Sequence, residues 1–507
     1  MSPHVRASGL PESLGQAASG ADSAAERVVD AVTCLGCGCA CDDIRVVVRG
    51  EQITHAERAC ALGRAWFGDG LVPARTRVGG HTATLDAAVA AAAELLVRAE
   101  RPLVYLAPEL SCEAQRVAAG IADVLAATLD TVSSATVLPG ILAGQRRGRT
   151  SATLGELRNR ADLLVFWGVD PAMRYPRFAE RYAPDPAGTH LPGGRADRTV
   201  IAVDLGEEAA FAAADLRIHF AAEHEVGALA VARAALAGRE RALARGGEAW
   251  VEHALALARR LARGRYVGLV YDAEHRASGD RVDGLLGLAQ ALNGPTRCAL
   301  IALRGGGNRS GADAVLTWQT GFPTAVDFAR GTPRYAVHRA EHRPEHRPEH
   351  RPEHRAERAP AESGAEIAED ATIHAAGAGS TASDAAQGDA VGSPAALGGY
   401  DAVLLAGDPA AVPTDVARAL VRVPCVAIGP HASDLAPAPE IAVDTGVPGI
   451  HEAGVALRLD DVPLPLRPPL GGVPGAAAVL LAVAREVGLR QGRRAPRATT
   501  AHQGAVP

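Results

Sequence analysis

Four cysteines near the N-terminus are the residues of this chain whose type and spacing most directly suggest chemistry. They are Cys34, Cys37, Cys41 and Cys60. The first three follow the pattern C-x2-C-x3-C, and the fourth stands 19 positions after the third. Three thiolates on one turn and a fourth from the next element can enclose a 4Fe-4S cluster when small residues, here Gly36, Gly38 and Ala40, let the backbone curl around it. The spacing therefore favours an iron–sulfur cluster.

Two other interpretations of the cysteines stay open. Four thiolates also form closed zinc sites, although the x3 gap and the distant fourth cysteine are less typical of zinc. The cysteines can also be an inherited turn without a metal, retained after a redox role was lost. A disulfide framework is disfavoured, since eight cysteines in 507 residues are sparse and the first 26 residues lack the features of an export signal. Cys39, a further thiol in the loop, has no assigned role.

The composition indicates a large globular protein. A chain of 507 residues with 48% hydrophobic residues is long enough for about two to four domains. The net charge is -6 and no basic stripe alternates with aromatic residues, so nucleic acid is not an expected partner. No apolar run has membrane-spanning length free of glycine, proline or charge, so we expect a cytoplasmic protein without a membrane anchor. The sequence contains no lysine, which excludes a catalytic-lysine mechanism.

Changes of pattern divide the chain into segments. The predicted segments are a disordered lead (1–28), a small Cys-rich domain (29–75), α/β domains (76–337), a low-complexity insertion (338–397), the remainder of the α/β domain with a β-rich C-terminal element (398–490), and a tail (491–507). In the small domain, DIRVVVRGEQI predicts a pair of strands that turns at Gly50. A helix is expected at 474–488.

The predicted insertion contains a repeated EHRP unit, with copies that begin at Glu341, Glu345, Glu349 and Glu353. Histidines at every fourth position could bind a metal, but a proline in each repeat blocks the regular helix that would align them. This composition favours a solvated, disordered segment. Because the α/β pattern resumes near residue 400, we expect the insertion to interrupt a domain without ending it.

Short apolar runs alternate with Ala-rich helical segments over most of the chain. The runs begin near residues 102, 162, 198, 266, 298, 400 and 423. Continuous apolar strands separated by helices predict parallel sheets covered on both faces. Ligands of such sheets lie at the carboxyl ends of the strands. This rule makes Trp167, Gly168, Asp204 and Arg304 candidate cofactor-binding residues.

Several segments, in this order, resemble the B subunit of formylmethanofuran dehydrogenase, a member of the molybdopterin oxidoreductase superfamily. They are the Cys segment, SCEAQRVAAGIADVL from Ser111, TLGELRNRADLLVFWGVDP from Thr153, RGGGNRSGADAVLTWQTGFPTAVDFARGTPRY from Arg304, and GIHEAGVALRLDDVPL from Gly449. The resemblance runs from about residue 30 to 470 apart from the insertion. It implies a multi-domain α/β fold like that of the superfamily, with Rossmann-like parallel sheets, a small N-terminal Cys domain and a β-rich C-terminal element.

The resemblance also implies which residues of this chain stand at the positions of the family's metal site. Archaeal members hold a 4Fe-4S cluster and a tungsten or molybdenum bis-pterin centre, whose metal is bound by a cysteine or selenocysteine followed by a histidine, with a distant arginine. Aligning that segment with 134–140 places Thr136 and Val137 at the metal ligand and the histidine, while Arg304 is retained. A threonine hydroxyl is a far weaker ligand than a thiolate, and valine cannot transfer a proton. The resemblance therefore implies that the bis-pterin and redox catalysis are lost, and we assign no catalytic residue.

A second departure concerns Asp204, which family members follow with a basic residue that contacts the pterin. Here Leu205 and Gly206 follow instead. Asp204 can equally cap a following helix, and Trp167 can equally be a core aromatic residue. Arg304 by itself can bind an anion such as a carboxylate.

These losses match the bacterial branch of the family, the formyltransferase/hydrolase complex of one-carbon metabolism, in which formaldehyde is oxidised to formate. The resemblance implies a non-redox scaffold of the B type, which assembles with A, C and D type subunits and contacts a methanofuran-type cofactor. The alternative is the B subunit of a true formylmethanofuran dehydrogenase, which interconverts carbon dioxide and formate, as in methanogenesis. A formate dehydrogenase-like enzyme of another pathway is disfavoured by the family-specific run from Leu316 to Tyr335.

Overall fold

The computed structural model describes residues 26–274, 279–336 and 399–494. The predicted EHRP insertion and most of the predicted lead and tail lie outside the described residues. The strands are β1 (Glu26–Val32), β2 (Ile44–Arg49), β3 (Gln52–Glu57), β4 (Thr76–Val78), β5 (His81–Thr82), β6 (Pro102–Leu106), β7 (Thr128–Thr131), β8 (Leu163–Trp167), β9 (Thr199–Leu205), β10 (Leu216–Phe220), β11 (Val267–Asp272), β12 (Cys298–Leu303), β13 (Val326–Asp327), β14 (Arg334–Tyr335), β15 (Ala402–Ala406), β16 (Cys425–Gly429), β17 (Ile441–Asp444), β18 (Gly454–Leu457) and β19 (Pro463–Leu466).

The α-helices connect these strands and cover the sheets. They are α1 (Ala61–Phe67), α2 (Leu85–Arg98), α3 (Cys112–Val124), α4 (Ser134–Arg147), α5 (Leu154–Arg160), α6 (Pro171–Arg174), α7 (Phe178–Arg181), α8 (Glu225–Ala234), α9 (Glu240–Leu243), α10 (Ala249–Leu261), α11 (Gly279–Leu292), α12 (Arg309–Thr320), α13 (Thr414–Leu420) and α14 (Ala476–Arg494). No helix within the described ranges combines the length and the apolar character needed to cross a membrane.

The N-terminal region forms an antiparallel sheet of three strands in the order β1-β2-β3. The predicted strand pair is confirmed, because β2 and β3 are joined at Gly50, whose φ of 62° suits glycine. The predicted disordered lead ends too late: β1 already begins at Glu26, since its residues pair with β2 from Glu26 onward. Helix α1 closes this region, and the side chain of Cys60 caps its N-terminus.

The second sheet consists of five parallel strands in the order β10-β9-β8-β11-β12. Strands β8 and β11 and the edge strand β12 are buried along their whole length, as the continuous apolar runs predicted. Helices α8, α10 and α11 pack on one face. The other face packs against residues of the N-terminal region and of α7.

The third sheet has nine strands in the order β14-β13-β7-β6-β15-β16-β17-β4-β5. Its centre, from β7 to β17, is parallel, and the shorter strands at both edges are antiparallel. Helices α2, α3 and α14 cover one face and α13 covers the other. Strands that precede and follow the undescribed range 337–398 therefore lie in one sheet.

The C-terminal region begins with an antiparallel hairpin of β18 and β19, which packs on α3 and α12. Helix α14 runs to Arg494, beyond the predicted helix end at 488 and into the predicted tail. The extension is held by Arg490, which pairs with Glu486 at 2.9 Å and with Glu94 of α2 at 3.7 Å. The α/β class with parallel sheets and a β-rich C-terminal element is confirmed.

Candidate cluster site and the neighbouring arginine cavity

The four cysteines predicted as ligands lie close together. The loop that carries the first three is closed by a hydrogen bond from the backbone N–H of Cys34 to the carbonyl oxygen of Cys41, at 2.8 Å. Helix α1 brings Cys60 to the same place as its N-cap residue. Burial raises the pKa of the Cys34 thiol, and the other three thiols raise it further by electrostatic repulsion.

Backbone donors point at two of these sulfur atoms. The N–H of Gly36 donates to Cys34 Sγ and the N–H of Gly63 donates to Cys60 Sγ, both at 3.4 Å. A Cβ at position 63 would lie 3.3 Å from Cys34 Sγ and 3.9 Å from Cys60 Sγ, so this glycine keeps the space between two thiols open. Hydrogen bonds to sulfur are one of the features that tune iron–sulfur clusters. The two N–H groups are placed to donate to thiolates at these positions.

Among the described residues, no group of three or more His, Cys, Asp or Glu side chains forms a ready site for a metal ion. All eight cysteines, which lie within the described ranges, are unpaired thiols. The assignment of Cys34, Cys37, Cys41 and Cys60 as metal ligands stays a prediction.

The Cys loop packs directly on the loop that follows β12. The backbone N–H of Gly307 donates to the carbonyl oxygen of Leu35 at 2.8 Å. A Cβ at Gly38 would overlap the carbonyl oxygen of Arg304, and a Cβ at Gly306 would lie 2.9 Å from the carbonyl oxygen of Gly36. Gly38 and Gly306 therefore allow the two backbones to pack closely.

Arg304 is buried and surrounded by carboxylates. Its Nε lies 3.1 Å from Glu274 Oε1, and its Nη1 lies 2.6 Å from Asp313 Oδ2 and 3.3 Å from the hydroxyl of Ser310. Arg309 approaches the other oxygen of Glu274 at 3.4 Å. Burial raises the pKa of Asp313 to about 6, although Arg304 opposes that rise. The charge of Arg304 is thus balanced from within the protein, which leaves less of it to hold an external anion.

A cavity of about 170 Å³ lies beside Arg304. Val137, Gly140, Tyr271 and Asp313 belong to its walls, so the structure brings Val137 and Arg304 together as the alignment with the family implied. In the part of the chain that the structure describes, Arg304 Nη2 and Asp313 Oδ1 are buried without a hydrogen-bond partner. Sites for drug-sized ligands measure about 300–1,000 Å³, so a bis-pterin does not fit here.

Thr136 does not line this cavity. It lies in the first turn of α4, and its hydroxyl donates to the carbonyl oxygen of Ser133 at 2.9 Å. The hydroxyl is therefore engaged by its own helix, and Val137 presents only carbon atoms. With neither a thiolate nor an acid at these positions, the residues present do not fit a tungsten or molybdenum centre.

The remaining candidate cofactor contacts serve internal packing. Trp167 is 1% exposed, stacks on Phe220 and donates from Nε1 to Glu225 at 2.8 Å, so it is a core aromatic residue. A Cβ at Gly168 would lie 2.7 Å from Leu205.

Asp204 accepts from the backbone N–H of Ala210 at 2.7 Å and from Arg217 at 2.6 Å. Its interpretation as a helix cap is wrong, because the next regular element after β9 is the strand β10, and the carboxylate closes the loop between the two strands.

A buried ion pair that the sequence reasoning missed lies next to Trp167. Arg281 of α11 contacts Glu225 at 2.6 Å and Glu208 at 3.4 Å. These side chains occupy the carboxyl ends of β8 and β9, where a ligand of the five-stranded sheet would lie. The only signal in the sequence is an arginine on a helix whose neighbours Val282, Leu285 and Leu286 are apolar.

A second missed residue is Glu109, just after β6 in the nine-stranded sheet. Its neighbour across the sheet is Asp408, which follows β15 and lies 3.4 Å from His431. Burial, and then repulsion from Asp408, raise the pKa of Glu109 to about 8. Among the described residues its Oε2 is buried without a hydrogen-bond partner. Glu109 therefore carries a proton at neutral pH.

Comparisons with known proteins bear on these observations. No family model matches the chain. It is 28% identical over 466 residues to the B subunit of the tungsten-containing formylmethanofuran dehydrogenase 2 of Methanocaldococcus jannaschii, and the match covers 88% of this chain and 96% of that protein. It is 31% identical over 259 residues to the B subunit of the formyltransferase/hydrolase complex Fhc of Methylorubrum extorquens, and the match covers 51% of this chain and 67% of that protein.

The fold is also similar to a solved structure. A chain in the crystal structure of the formyltransferase/hydrolase complex FhcABCD from Methylorubrum extorquens, in complex with methylofuran, superposes with a TM-score of 0.60 and 22% identity. The match covers 82% of this chain and 99% of that chain, which confirms the multi-domain α/β fold. The resemblance inferred from the sequence is confirmed as well: this chain belongs to the family of the B subunits of formylmethanofuran dehydrogenase and of the formyltransferase/hydrolase complex.

Proposed function

We propose that this chain is the B subunit of a formyltransferase/hydrolase-type complex and serves there as a non-redox scaffold. The observation that carries the proposal is the composition of the arginine cavity. Val137 supplies an apolar wall where the family has an acid–base residue, and the Thr136 hydroxyl is bound to Ser133. Arg304 is balanced by two carboxylates. Formate chemistry needs a strongly donating metal ligand and a proton carrier, and positions 136 and 137 supply neither.

In such a complex the chemical steps belong to other subunits. A D-type subunit moves a formyl group from tetrahydromethanopterin to a methanofuran-type cofactor, and an A-type subunit hydrolyses the product to formate. The B subunit holds the A, C and D subunits in place and contacts the cofactor, within one-carbon metabolism that oxidises formaldehyde. The proposal includes a reducing, cytoplasmic location, in which the eight unpaired thiols stay reduced.

The proposal also includes a 4Fe-4S cluster at Cys34, Cys37, Cys41 and Cys60. A cluster supplies one-electron chemistry and a covalent link between the loops that bind it. Here the link would join the loop after β1 to helix α1. The backbone donors at Gly36 and Gly63 would support the bound thiolates.

The test compares the purified complex with and without this chain. We expect omission to dissociate the other subunits and to lower the rate of formyl release at least tenfold. Undiminished release in the absence of the chain would end the scaffold proposal. As a matched control, Thr136→Ala removes the hydroxyl at the former ligand position, and release should stay within about twofold because no step uses that oxygen.

A true dehydrogenase subunit is the second candidate, favoured by the complete set of four neighbouring cysteines. Metal analysis after anaerobic purification separates the two candidates. Our proposal expects about four irons per chain and no tungsten or molybdenum. One tungsten or molybdenum per chain, together with interconversion of carbon dioxide and formate that Thr136→Ala abolishes, would establish the dehydrogenase instead.

A further inference from the structure

A cavity of about 530 Å³ lies between the C-terminal end of α4 and the helices α8 and α11. It shares no lining residue with the arginine cavity. Val226 and Ala230 of α8 and Gly284 of α11 supply apolar surface to its walls. A Cβ at Gly284 would lie 2.7 Å from a methyl group of Leu229, so α8 and α11 pack closely here. Sites for small molecules measure about 300–1,000 Å³, so this cavity has the volume of a ligand site.

Charged side chains form the rest of the cavity wall. Arg146 and Arg147 come from the last turn of α4, and Arg233 comes from the last turn of α8. Two carboxylates of α11, Asp280 and Asp283, line the cavity as well. The lining therefore carries three positive and two negative side chains at neutral pH.

Asp283 pairs closely with only one of the three arginines. Its two oxygens lie 2.8 Å from Nε and 2.8 Å from Nη2 of Arg147. Arg146 Nη2 stays 3.8 Å from Oδ1 of Asp283. The hydrogen bond from Arg147 lowers the pKa of Asp283, and the charges of Arg146 and Arg233 lower it further. Within the described ranges of the chain, the Arg233 side chain forms no hydrogen bond and no ion pair, so its donors are available to a ligand.

The fold positions Arg233 at the cavity. Val226, Ala230 and Arg233 stand four and three positions apart, which places them on one face of α8. A Cβ at Gly287 would lie 2.7 Å from Arg233 Nη1, so the guanidinium rests on α11 where that helix has no side chain. Arg233 is half-buried, which reduces the screening of its charge by solvent. A guanidinium presents a planar fork of donors that matches carboxylate and phosphate groups.

We propose that this cavity binds a small molecule that carries two or more carboxylate or phosphate groups. Arg233 and Arg146 bind the anionic groups, and Val226 and Ala230 contact the remainder of the ligand. A monoanion gains little, because Asp283 repels it, whereas a ligand with several anionic groups can contact both arginines at once. The inference goes beyond the scaffold proposal and depends neither on the cluster nor on formyl release.

The experiment is isothermal titration calorimetry of the purified full-length chain. The probes are tricarballylate, which carries three carboxylates, and pyrophosphate, and acetate serves as the monoanion. We expect at least one of the two polyanions to bind with a Kd below about 1 mM, and acetate to bind at least tenfold more weakly. The probe with the lower Kd identifies the anionic group that the cavity prefers.

Two variants should change the affinity in opposite directions. Arg233→Met removes the guanidinium and keeps an apolar stem, so the affinity should fall at least tenfold. Asp283→Asn removes the competing carboxylate and releases Arg147, so the affinity should rise severalfold. Arg195→Met is the matched control for net charge, because Arg195 pairs with Asp215 at 2.6 Å and does not line the cavity. Its affinity should equal that of the unchanged chain.

Several outcomes would overturn the inference. One is the absence of saturable binding of both polyanions to the unchanged chain. Equal affinities of Arg233→Met and Arg195→Met would show that only the net charge of the protein matters. If Arg233→Met does not fold, Asp283→Asn decides: tighter binding supports the site, and unchanged or weaker binding refutes it.

Discussion

The Cys loop and the arginine cavity touch each other, but their polar side chains are satisfied in very different ways. The loop retains four neighbouring thiols, two of which accept backbone hydrogen bonds at 3.4 Å. The cavity has Val137 on its wall and an arginine balanced by Glu274 and Asp313. Two regions whose backbones are in contact can therefore hold buried side chains of very different chemistry.

The difference has a physical reason. The Cys loop and Cys60 also stabilise the fold. Cys60 caps α1, and the backbone carbonyl of Leu35 accepts a hydrogen bond from Gly307. Changes there disturb packing as well as chemistry. In the cavity, a ligand side chain can be replaced by an apolar one once carboxylates have balanced the charge of Arg304.

The largest expected effect is the difference in bound iron between a variant of a predicted ligand cysteine and a variant of another cysteine in the same loop. Cys41→Ser should remove nearly all bound iron, since a serine hydroxyl is a poor substitute for a thiolate at an iron–sulfur cluster. Cys39→Ser is the matched control, because Cys39 contacts the Cys37 thiol but has no predicted ligand role. Iron content and the visible absorption of both proteins are the measurements. Equal iron in the two variants would contradict the ligand assignment.

The next effect tests the balanced charges of the cavity. Arg304→Met leaves Glu274 and Asp313 buried without their partner, and we expect a loss of about 3–5 kcal/mol in the free energy of unfolding. Arg265→Met is the control, since Arg265 is 76% exposed and its pair with Asp162 should contribute less than about 1 kcal/mol. Denaturant unfolding of both variants provides the comparison. A similar loss in the two would mean that Arg304 is not held by buried charge.

A smaller effect tests the contact between the two regions. Gly38→Ala places a methyl group against the carbonyl oxygen of Arg304, and the two loops must separate. We expect a loss of about 2–3 kcal/mol, as for other insertions into packed interiors. Gly120→Ala in α3 has open space around its Cβ and should raise stability by about 0.5–1 kcal/mol. If Gly38→Ala is as stable as the unchanged protein, the loops are not in close contact.

The smallest effect depends on pH and concerns Glu109 at the nine-stranded sheet. Its folded pKa of about 8 exceeds the ordinary value of 4.5, so the folded state retains a proton that the unfolded state loses. The contribution of Glu109 to stability therefore falls as pH rises from about 4.5 to 8. Glu109→Gln removes this dependence and should be more stable by about 1–3 kcal/mol at pH 8, and nearly equal at pH 4.5.

Thermal unfolding at several pH values measures this difference. The exposed Glu100→Gln variant is the control and should show the same small change at each pH. A Glu109→Gln effect that does not grow with pH would mean that the carboxyl group is ionised in the fold.

Much of the fold could be predicted from the sequence because its signals are local. The apolar runs at 102, 162, 198, 266 and 298 each correspond to a strand of a parallel sheet. The errors of prediction lie at the ends of two elements. Pairing with β2 decides the early start of β1, and the contacts of Arg490 decide the late end of α14. Pairing partners and stabilising contacts from other elements have no trace in a short window of residues.

The amino-acid sequence alone determined the order of strands and helices, the spacing of the four cysteines and the presence of Thr136 and Val137 at the start of α4. Only the tertiary structure decided what Arg304 does, because Glu274 lies 30 residues away and reaches it through the neighbouring strand β11. The same holds for Arg181, which donates to Asp42 across 139 positions of chain. Electrostatic balance depends on distance in space, and residues far apart in the chain become neighbours only after the sheets have formed.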